Sequence, residues 1–320
     1  MKKILIIFGG NSFEHNISCL SVNNVIKNID KKRYNFDVVG ISRKNAWFLI
    51  KNHNNITSSW EKLDKEPIID IIAFLKKYDK IFPVMHGSCG EDGKIQSLFE
   101  LFNLSYVGSN SNASKNAMDK HLTKLLCEKE HIPQVPYFVV KKNTEIPSKL
   151  DYPLIIKPAN GGSSIGINVA HNKKEMHKFI KKALKFDHKI VVEKFINCRE
   201  LECAIIEGKN LIVSTIGEIE SCNEFYDFEA KYEKESHIII PASLNQETII
   251  QIQNLAKKVF KLLELKDFAR IDFLYDETNN KIYFNEANTI PGFTNISMFP
   301  LLFKEKGLDF KKLITKIIEN

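Results

Sequence analysis

Apolar and polar positions along the first third of the chain switch between two periods. The run Lys3–Phe8 is apolar without a break after its first residue and is closed by Gly9-Gly10, the pattern of a buried strand ending in a turn. Val22, Val25, Ile26 and Ile29 then recur at helical spacing, with Ser18 as the expected N-cap. Strands are expected over Phe36–Ile41 and Lys80–Met85, the second ending at His86-Gly87. A further helix carries Ile95, Leu98, Phe99 and Phe102, and Tyr106-Val107-Gly108 is expected to be extended. This strand–helix–strand rhythm predicts an α/β unit with a mostly parallel sheet and its functional loops at the carboxyl ends of the strands.

The middle third predicts one helix near Ala113–Glu130, stopped before Pro133. Strands follow at Tyr137–Val140 and Leu154–Lys157, then a Gly/Ser loop over Asn160–Gly166, a helix around Glu175–Leu184 and a strand at Ile190–Glu193. The last third is richer in strands, with Glu200–Ile206 and Leu211–Ile219 ahead of a polar loop, Glu220–Lys234. A helix over Thr248–Leu265 puts Ile249, Ile252, Ala256, Val259 and Leu263 on one face. Phe268–Tyr275 and Lys281–Asn288 read as a hairpin around Asp276–Asn280; if its turn is centred on Thr278, the polar pairs of the two strands face the same side. Neither an internal repeat nor a low-complexity linker interrupts the chain, so the lobes are expected to pack closely around one cleft.

Composition narrows the class. At 320 residues the chain is long enough for two or three lobes, and 43% hydrophobic with 27% charged residues is ordinary for a globular protein. Met1-Lys2-Lys3 looks like the start of a signal peptide, but the apolar run to Phe8 is too short for one, and no run approaches the roughly 18 apolar residues of a membrane span. A cytoplasmic location without membrane partners is therefore expected. Cys19, Cys89, Cys127, Cys198, Cys203 and Cys222 form no Cys-x-x-Cys pair, so reduced thiols are expected rather than a zinc site or a disulfide framework. The net charge of +7 comes from scattered lysine pairs mixed with acids. It suits an anionic small substrate better than nucleic acid, for which a basic stripe interleaved with aromatics is missing.

The hairpin carries the most specific chemistry. Arg270 and Asp272 share one face of their strand, Glu286 and Asn288 share one face of the other, and Ile271 and Phe273 point to the core. Two carboxylates and an amide oxygen close together suit a hard divalent cation, and an arginine beside them would neutralise developing negative charge. A polar outward face of ordinary salt bridges has the same spacing. The continuation Asn288-Thr289-Ile290-Pro291-Gly292-Phe293-Thr294 favours the metal, because its Pro-Gly turn lets backbone N–H groups approach a ligand. Lys157 ends an apolar strand and leads into Pro158–Gly166, whose glycines and serines suit phosphate oxygens, although such a loop alone is more often only a loop. It lacks the Walker ending, and Gly9-Gly10 lacks the dinucleotide fingerprint. Lys120 follows Met118-Asp119 on a helix, where most lysines are simply solvated. Glu193 and Glu200 flank Lys194–Arg199, either a surface connection or a hinge whose backbone meets an adenine edge.

Taken in order, these pieces resemble the D-alanine–D-alanine ligases of the ATP-grasp superfamily over nearly the whole chain. The resemblance rests on Gly9–His15, His86–Gly93, Tyr106–Ser109, Met118–Lys120, Lys157–Gly166, Phe225–Tyr232 and Asn285–Pro300. It implies an ATP-grasp fold: an N-terminal Rossmann-like parallel-sheet lobe over residues 1–108, and two α+β lobes, 109–192 and 193–320, sandwiching ATP. It implies that Lys120, Lys157 and Ser164 contact the phosphates, that backbone at Lys194 and Ile196 with the Glu193 side chain holds adenine, and that Glu200 binds ribose. Asp272, Glu286 and Asn288 would hold two Mg²⁺, with Mn²⁺ as an alternative. Lys231 would reach the γ-phosphate from a loop expected to be mobile without ligand and ordered with it.

The same resemblance implies that the first D-alanine becomes an acyl phosphate and that the second attacks it. Arg270 and the Gly292 N–H would stabilise the oxyanion. Glu14 would bind the first ammonium, with His86 beside the substrate, and Ser297 with the Met298 backbone would bind the second carboxylate. Glu14, Ser163 and Tyr232 would close the loop over the site. The product would be a peptidoglycan precursor, and a homodimer is common in the family. Two departures stand out: Asn16 where the family usually has an acid, and Gly162 where many members carry a bulkier residue. The rivals are a ligase using D-serine or D-lactate as second substrate, which Met298 and Tyr232 disfavour, and a non-catalytic nucleotide-binding regulator, disfavoured because the metal-ligand candidates and the arginine are all kept. A nicotinamide dehydrogenase lacks its glycine fingerprint.

Overall fold

The computed structural model describes residues 1–142, 144–220 and 237–320. Its first sheet contains β1 (Lys2–Gly9), β2 (Tyr34–Ile41), β3 (Trp47–Ile50), β4 (Lys65–Pro67) and β5 (Lys80–Val84), in the order β4-β3-β2-β1-β5. β1 pairs in parallel with β2 and β5, as the sequence rhythm predicts, while β3 and β4 add an antiparallel edge that the pattern did not announce. Both are too short to show a period, and β4 ends on a proline, which suits an edge. Ile4–Phe8 are completely buried, the condition of a central parallel strand covered on both faces. Helices α1 (His15–Asn28), α2 (Ile71–Leu75) and α3 (Lys94–Leu101) belong to this lobe.

Ser18 is not the N-cap of α1. The helix starts one turn earlier, after Glu14, and Ser18 lies inside it. Its hydroxyl accepts from Gly9 N (2.7 Å) and donates to Val84 O (2.5 Å), stitching α1 to the carboxyl ends of β1 and β5. A buried serine within a helix is tolerable here because its hydroxyl is fully used.

The helix expected over Ala113–Glu130 is two helices, α4 (Ser111–Met118) and α5 (Lys120–Lys129). The break is Asp119, whose backbone is extended and whose carboxylate accepts from His121 N and Leu122 N, each at 3.1 Å, as the cap of α5. Lys189 also pairs with it. The break delivers Lys120 N to Ala159 O at 2.9 Å, against the Gly/Ser loop. Apolar residues read only the shared face of the two helices; the aspartate reads the boundary.

The second sheet holds β6 (Tyr137–Lys141), β7 (Leu154–Pro158), β8 (Asn168–Ala170) and β9 (Lys189–Lys194), in the antiparallel order β6-β9-β7-β8, backed by α6 (Lys173–Ala183). The third holds β10 (Arg199–Ile206), β11 (Ile212–Glu220), β12 (His237–Ile239), β13 (Phe268–Asp276) and β14 (Lys281–Asn288), in the order β12-β11-β10-β13-β14. On one face Ile271, Phe273 and Phe284 pack with α7 (Gln246–Leu262) and with Ala113, Ala117 and Cys127 of α4 and α5. On the other, Phe268 joins Phe293 and Phe299 with ring centroids 5.6–5.7 Å apart, and Phe82 of the first lobe lies 6.5 Å from it. The helices α8 (Met298–Glu305) and α9 (Phe310–Glu319) complete that core, which is continuous with the first sheet. Each fully buried phenylalanine there contributes roughly 2 kcal/mol over its exposed state. The first and third lobes are thus welded by aromatic packing on the same face of β13 that carries Arg270 and Asp272.

Candidate active site

A cleft of about 820 Å³ lies between the second and third sheets. Lys120, Lys157, Ser163 and Ser164 line one side. Glu193, Lys194, Ile196 and Glu200 line it where β9 passes into β10, and Arg270, Asp272 and Glu286 line it from the hairpin. Asn288, Gly292, Ser297, Met298, Glu14 and His86 lie outside these walls. Lys231 and Tyr232, with the rest of the polar loop from 221 to 234, are outside the described residues.

The hairpin wall depends on a bulge. A turn centred on Thr278 would pair Arg270 with Glu286; instead Arg270 faces Asn288 and Asp272 faces Glu286. The register slips between Asp272 and Phe273, where Asn285 is the extra residue: Phe273 faces Phe284 while Asp272 faces Glu286. The bulge turns Asn285 as well as Glu286 away from the core, whereas Phe284 and Ala287 remain buried. Glu202 of β10 lies opposite Asp272 on its other side, so Glu202, Asp272 and Glu286 form a row of acids across three strands. Arg270 answers this charge. Its Nε and an Nη donate to the two Asp272 oxygens at 2.8 Å each, and its Nε lies 2.8 Å from Glu202 Oε2. Burial opposes the guanidinium charge, but Asp272 and Glu202 overcome it and hold the Arg270 pKa well above normal.

Opposite stands a lysine cluster. Lys157 Nζ lies 2.6 Å from Glu193 Oε2 and 3.3 Å from Asn285 Oδ1. Lys120 Nζ donates to Gly161 O at 2.7 Å and lies 3.7 Å from Glu286 Oε2, spanning the cleft. Burial works against the Glu193 charge, yet Lys157 and Lys124 outweigh it and hold its pKa down to about 2. Lys157 is likewise penalised by burial and raised above the usual lysine value by Glu193. Lys194 Nζ points outward, 3.6 Å from Asp151, while its backbone N donates to Pro136 O at 2.9 Å.

The Gly/Ser loop meets the first lobe. Ser163 and Ser164 both have left-handed backbones, φ 50° and 57°, a conformation that costs non-glycine residues energy and persists only where surroundings impose it. The Ser163 hydroxyl donates to Glu14 Oε1. A Cβ on Gly162 would come within 2.9 Å of Glu14 Oε2, and one on Gly87 would collide with the same oxygen, so two glycines make room for this carboxylate.

A second hydrogen-bonded set grips the Pro-Gly turn. His86 Nδ1 lies 2.9 Å from Ile290 O and its Nε2 2.9 Å from Ser21 Oγ. Phe293 N donates to Ser21 Oγ at 3.2 Å, and Asn24 Nδ2 donates to Phe293 O at 3.0 Å. A Cβ on Gly292 would meet Ser297 Oγ at 2.6 Å, and that hydroxyl bonds Thr294 at the start of α8.

Sequence reasoning missed three charged residues here, Glu202 and Lys124 buried and Glu91 half-buried. Glu91 accepts from Gly87 N (3.0 Å) and Ile290 N (3.1 Å), bridging the loops after β5 and β14. Burial, then the negative charge of Glu14, pushes its pKa up to about 8. Glu202 completes the acid row, and Lys124 pairs with Glu193 at 2.8 Å. Glu91 sits in a quoted motif and could have been singled out. Glu202 and Lys124 announce themselves only through sheet register and helix packing.

No group of three or more His, Cys, Asp or Glu side chains is gathered as a ready metal site among the described residues. The hairpin set is of another composition, two directly opposed carboxylates and the Asn288 amide, whose Nδ2 donates to Asp272 Oδ2 at 2.8 Å. An all-oxygen donor set of this kind fits a hard divalent cation.

Comparison with known proteins gives the same direction. The model described as D-ala D-ala ligase N-terminus matches residues 3–109, and that described as D-ala D-ala ligase C-terminus matches residues 126–319. The D-alanine–D-alanine ligase of Clostridium acetobutylicum is 42% identical over 333 residues, covering 99% of this chain and 97% of the relative. That of Acetivibrio thermocellus is 39% identical over 357 residues, covering 99% and 95%. Among solved structures, the VanG D-Ala:D-Ser ligase from Enterococcus faecalis superposes with a TM-score of 0.90 at 34% identity, covering 99% of this chain and 98% of that one.

Proposed function

The chain belongs to the D-alanine–D-alanine ligase family, and from that premise we propose how its cleft works. It is an ATP-dependent ligase that joins two D-alanines to D-alanyl-D-alanine for peptidoglycan. Adenine rests on the backbone at Lys194 and Ile196 beside Glu193, and Glu200 takes the ribose. Lys120, Lys157 and Ser164 meet the phosphates, with Lys231 on the γ-phosphate. Asp272, Glu286 and Asn288 would hold two Mg²⁺, or Mn²⁺ in their place, which supply positive charge to the phosphate oxygens during transfer.

The first D-alanine is held by its ammonium at Glu14, with His86 nearby. Its carboxylate oxygen attacks the γ-phosphorus, ADP leaves, and an acyl phosphate forms. The second D-alanine is held by its carboxylate at Ser297 and the Met298 N–H, at the start of α8, where the positive end of a helix favours an anion. Its amine, as the free base, attacks the acyl carbon, and its proton ends on the departing phosphate. Arg270 and the Gly292 N–H receive the oxyanion, and phosphate leaves with the former carboxylate oxygen. Glu14, Ser163 and Tyr232 close the loop and keep water from the acyl phosphate.

What carries this reading is the opposition of Asp272 and Glu286 beside the forked Arg270, on the wall of a cleft whose other wall brings Lys120 to 3.7 Å from Glu286. Lobe boundaries at 108 and 192 are supported by one sheet per lobe, apart from the last two residues of β9. α4 and α5 pack on the third lobe's core and would move with it. A cytoplasmic location and a homodimer are part of the proposal; no described helix is long and apolar enough to cross a membrane.

A second reading, with D-serine as the second substrate, is favoured by the likeness to the D-Ala:D-Ser ligase. Against it, Met298 is buried in the core with its sulfur against Gly217, so its side chain is turned into the protein and brings no charged donor to a second hydroxyl. The experiment is to incubate the protein with ATP, Mg²⁺ and D-alanine, alone and with D-serine or D-lactate, and to weigh the products. D-alanyl-D-alanine with matching phosphate release supports the first reading. A predominance of D-alanyl-D-serine overturns it in favour of the second, and no product from any pair overturns both.

A further inference from the structure

Lys124 is among the largest completely enclosed side chains of the protein, yet it is a lysine and forms no part of the cleft wall. It stands one turn after Lys120 on α5, so the two share a helix face: Lys120 reaches the cleft and Lys124 is sealed behind it. Its ammonium meets Glu193 Oε1 at 2.8 Å and lies 4.9 Å above the Tyr137 ring. Both Glu193 oxygens are therefore held by lysines, Oε1 from behind by Lys124 and Oε2 from the cleft side by Lys157.

Charge decides what this arrangement does. A single buried carboxylate is neutralised by a single buried ammonium. Were Lys157 the only cation, its charge would be spent on Glu193, and the polyanion would face a neutral pair. With Lys124 present, two cations share the Glu193 carboxylate, so less of the Lys157 charge is spent on it and more is left toward the cleft, where Glu286 and Glu200 also face it. Burial also strengthens each of these interactions relative to water.

We propose that Lys124 is a positioning residue for the nucleotide: by neutralising Glu193 from behind, it frees the charge of Lys157 for the ATP phosphates and fixes the Glu193 carboxylate at the base. This rests on the reading above that Lys157 and Glu193 face ATP. Lys124 acts only through Glu193, since Glu193 stands between it and the cleft. Its loss should weaken nucleotide binding and leave D-alanine recognition untouched, because Glu14, Ser297 and Met298 belong to other elements.

The experiment measures ADP affinity by calorimetry, and KM for ATP and for D-alanine, in the full-length enzyme carrying K124M, K124R, K157M, E193Q or E193Q with K124M. K124M should weaken ADP binding and raise the ATP KM by roughly tenfold or more, as expected when a buried charge loses its partner. The D-alanine KM should stay within about twofold of native, the margin for an interaction that is not shared. K124R, which keeps the charge, should restore most of the affinity. In the E193Q background, K124M should have little further effect, because the carboxylate it serves is already neutral. That pair also decides the matter if K124M alone does not fold. Native ADP affinity in K124M, or an equal loss from K124M with and without the Glu193 charge, would overturn the proposal. If K157M and E193Q also bind ADP normally, the nucleotide reading itself is what fails.

Discussion

Ser163 donates its hydroxyl hydrogen to the Glu14 carboxylate, joining residues 149 positions apart and tying the Gly/Ser loop of the second lobe to the loop after β1 in the first. A single contact thus links the segment read as covering phosphate with the residue read as holding the first ammonium. Replacing Glu14 by glutamine, or Ser163 by alanine, should lower kcat/KM for D-alanine while leaving the ATP KM unchanged. Hydrogen bonds to charged groups contribute about 1.5–3 kcal/mol, so the loss should be roughly 10- to 100-fold. Steady-state kinetics with each substrate varied in turn checks this. A loss confined to the ATP KM would separate the loop contact from D-alanine binding.

Gly162 tests the same corner by crowding it. Its missing Cβ leaves room for Glu14 Oε2, which would otherwise lie at 2.9 Å. Gly162→Ala should push the carboxylate aside and raise the D-alanine KM by a few-fold, with thermal stability changed by only about 1 kcal/mol or less because the neighbour is the end of a side chain. An unchanged KM would show that Glu14 adjusts freely.

Arg270 holds two buried acids at once. Arg270→Met leaves Asp272 and Glu202 without their cation, which should destabilise the fold by about 3–5 kcal/mol and cost at least about 10² in rate. Arg270→Lys should recover little of the rate, because one ammonium cannot reproduce the fork to Asp272. Denaturant unfolding and turnover, measured on the same samples, check both parts. A lysine variant with native turnover would remove the arginine from the chemistry.

Glu91 gives stability a pH dependence of definite sign. Burial and the nearby Glu14 raise its pKa from 4.5 to about 8 in the folded protein. The folded state therefore holds a proton that the unfolded state releases. This contribution is complete below about pH 4.5, and is lost as pH rises through about 8, with a slope of up to about 1.4 kcal/mol per pH unit. Glu91→Gln should remove that part of the slope. Melting temperatures across pH 5 to 9 check it, those limits being roughly the span between the two pKa values. A native slope retained in the variant would assign the proton elsewhere.

Much of this architecture was legible in the chain, and the gaps have physical reasons. The β13–β14 hairpin was readable because alternation on both strands and a polar turn agree. Its bulge at Asn285 was not, since an extra residue leaves composition unchanged while altering which carboxylates meet. Asp119 breaks a helix that the apolar face runs through, and only its capping chemistry marks the place. Ser18 looked like a cap and is instead a buried stitch between α1 and two strands. Nineteen residues were expected at the site, Arg270, Asp272, Glu286, Asn288 and Lys157 already from spacing and most of the others on the strength of resemblance. The structure gathers Lys120, Lys157, Glu193, Arg270, Asp272 and Glu286 around one cleft, while Lys231 and Tyr232 lie outside the described residues. Glu202 and Lys124 were passed over because a buried charge is identified by its partners, and partners are set by tertiary structure; Glu91 lay within His86–Gly93 and could have been read.

The central claim is that this cleft activates a D-alanine carboxylate by transferring a phosphoryl group to it. The most direct measurement gives the enzyme ATP, Mg²⁺ and D-alanine whose carboxylate carries heavy oxygen, and weighs the phosphate released with the dipeptide. Attack by the carboxylate on the γ-phosphorus predicts one heavy oxygen in each phosphate for each dipeptide formed. Dipeptide accompanied by phosphate free of the label would contradict the account.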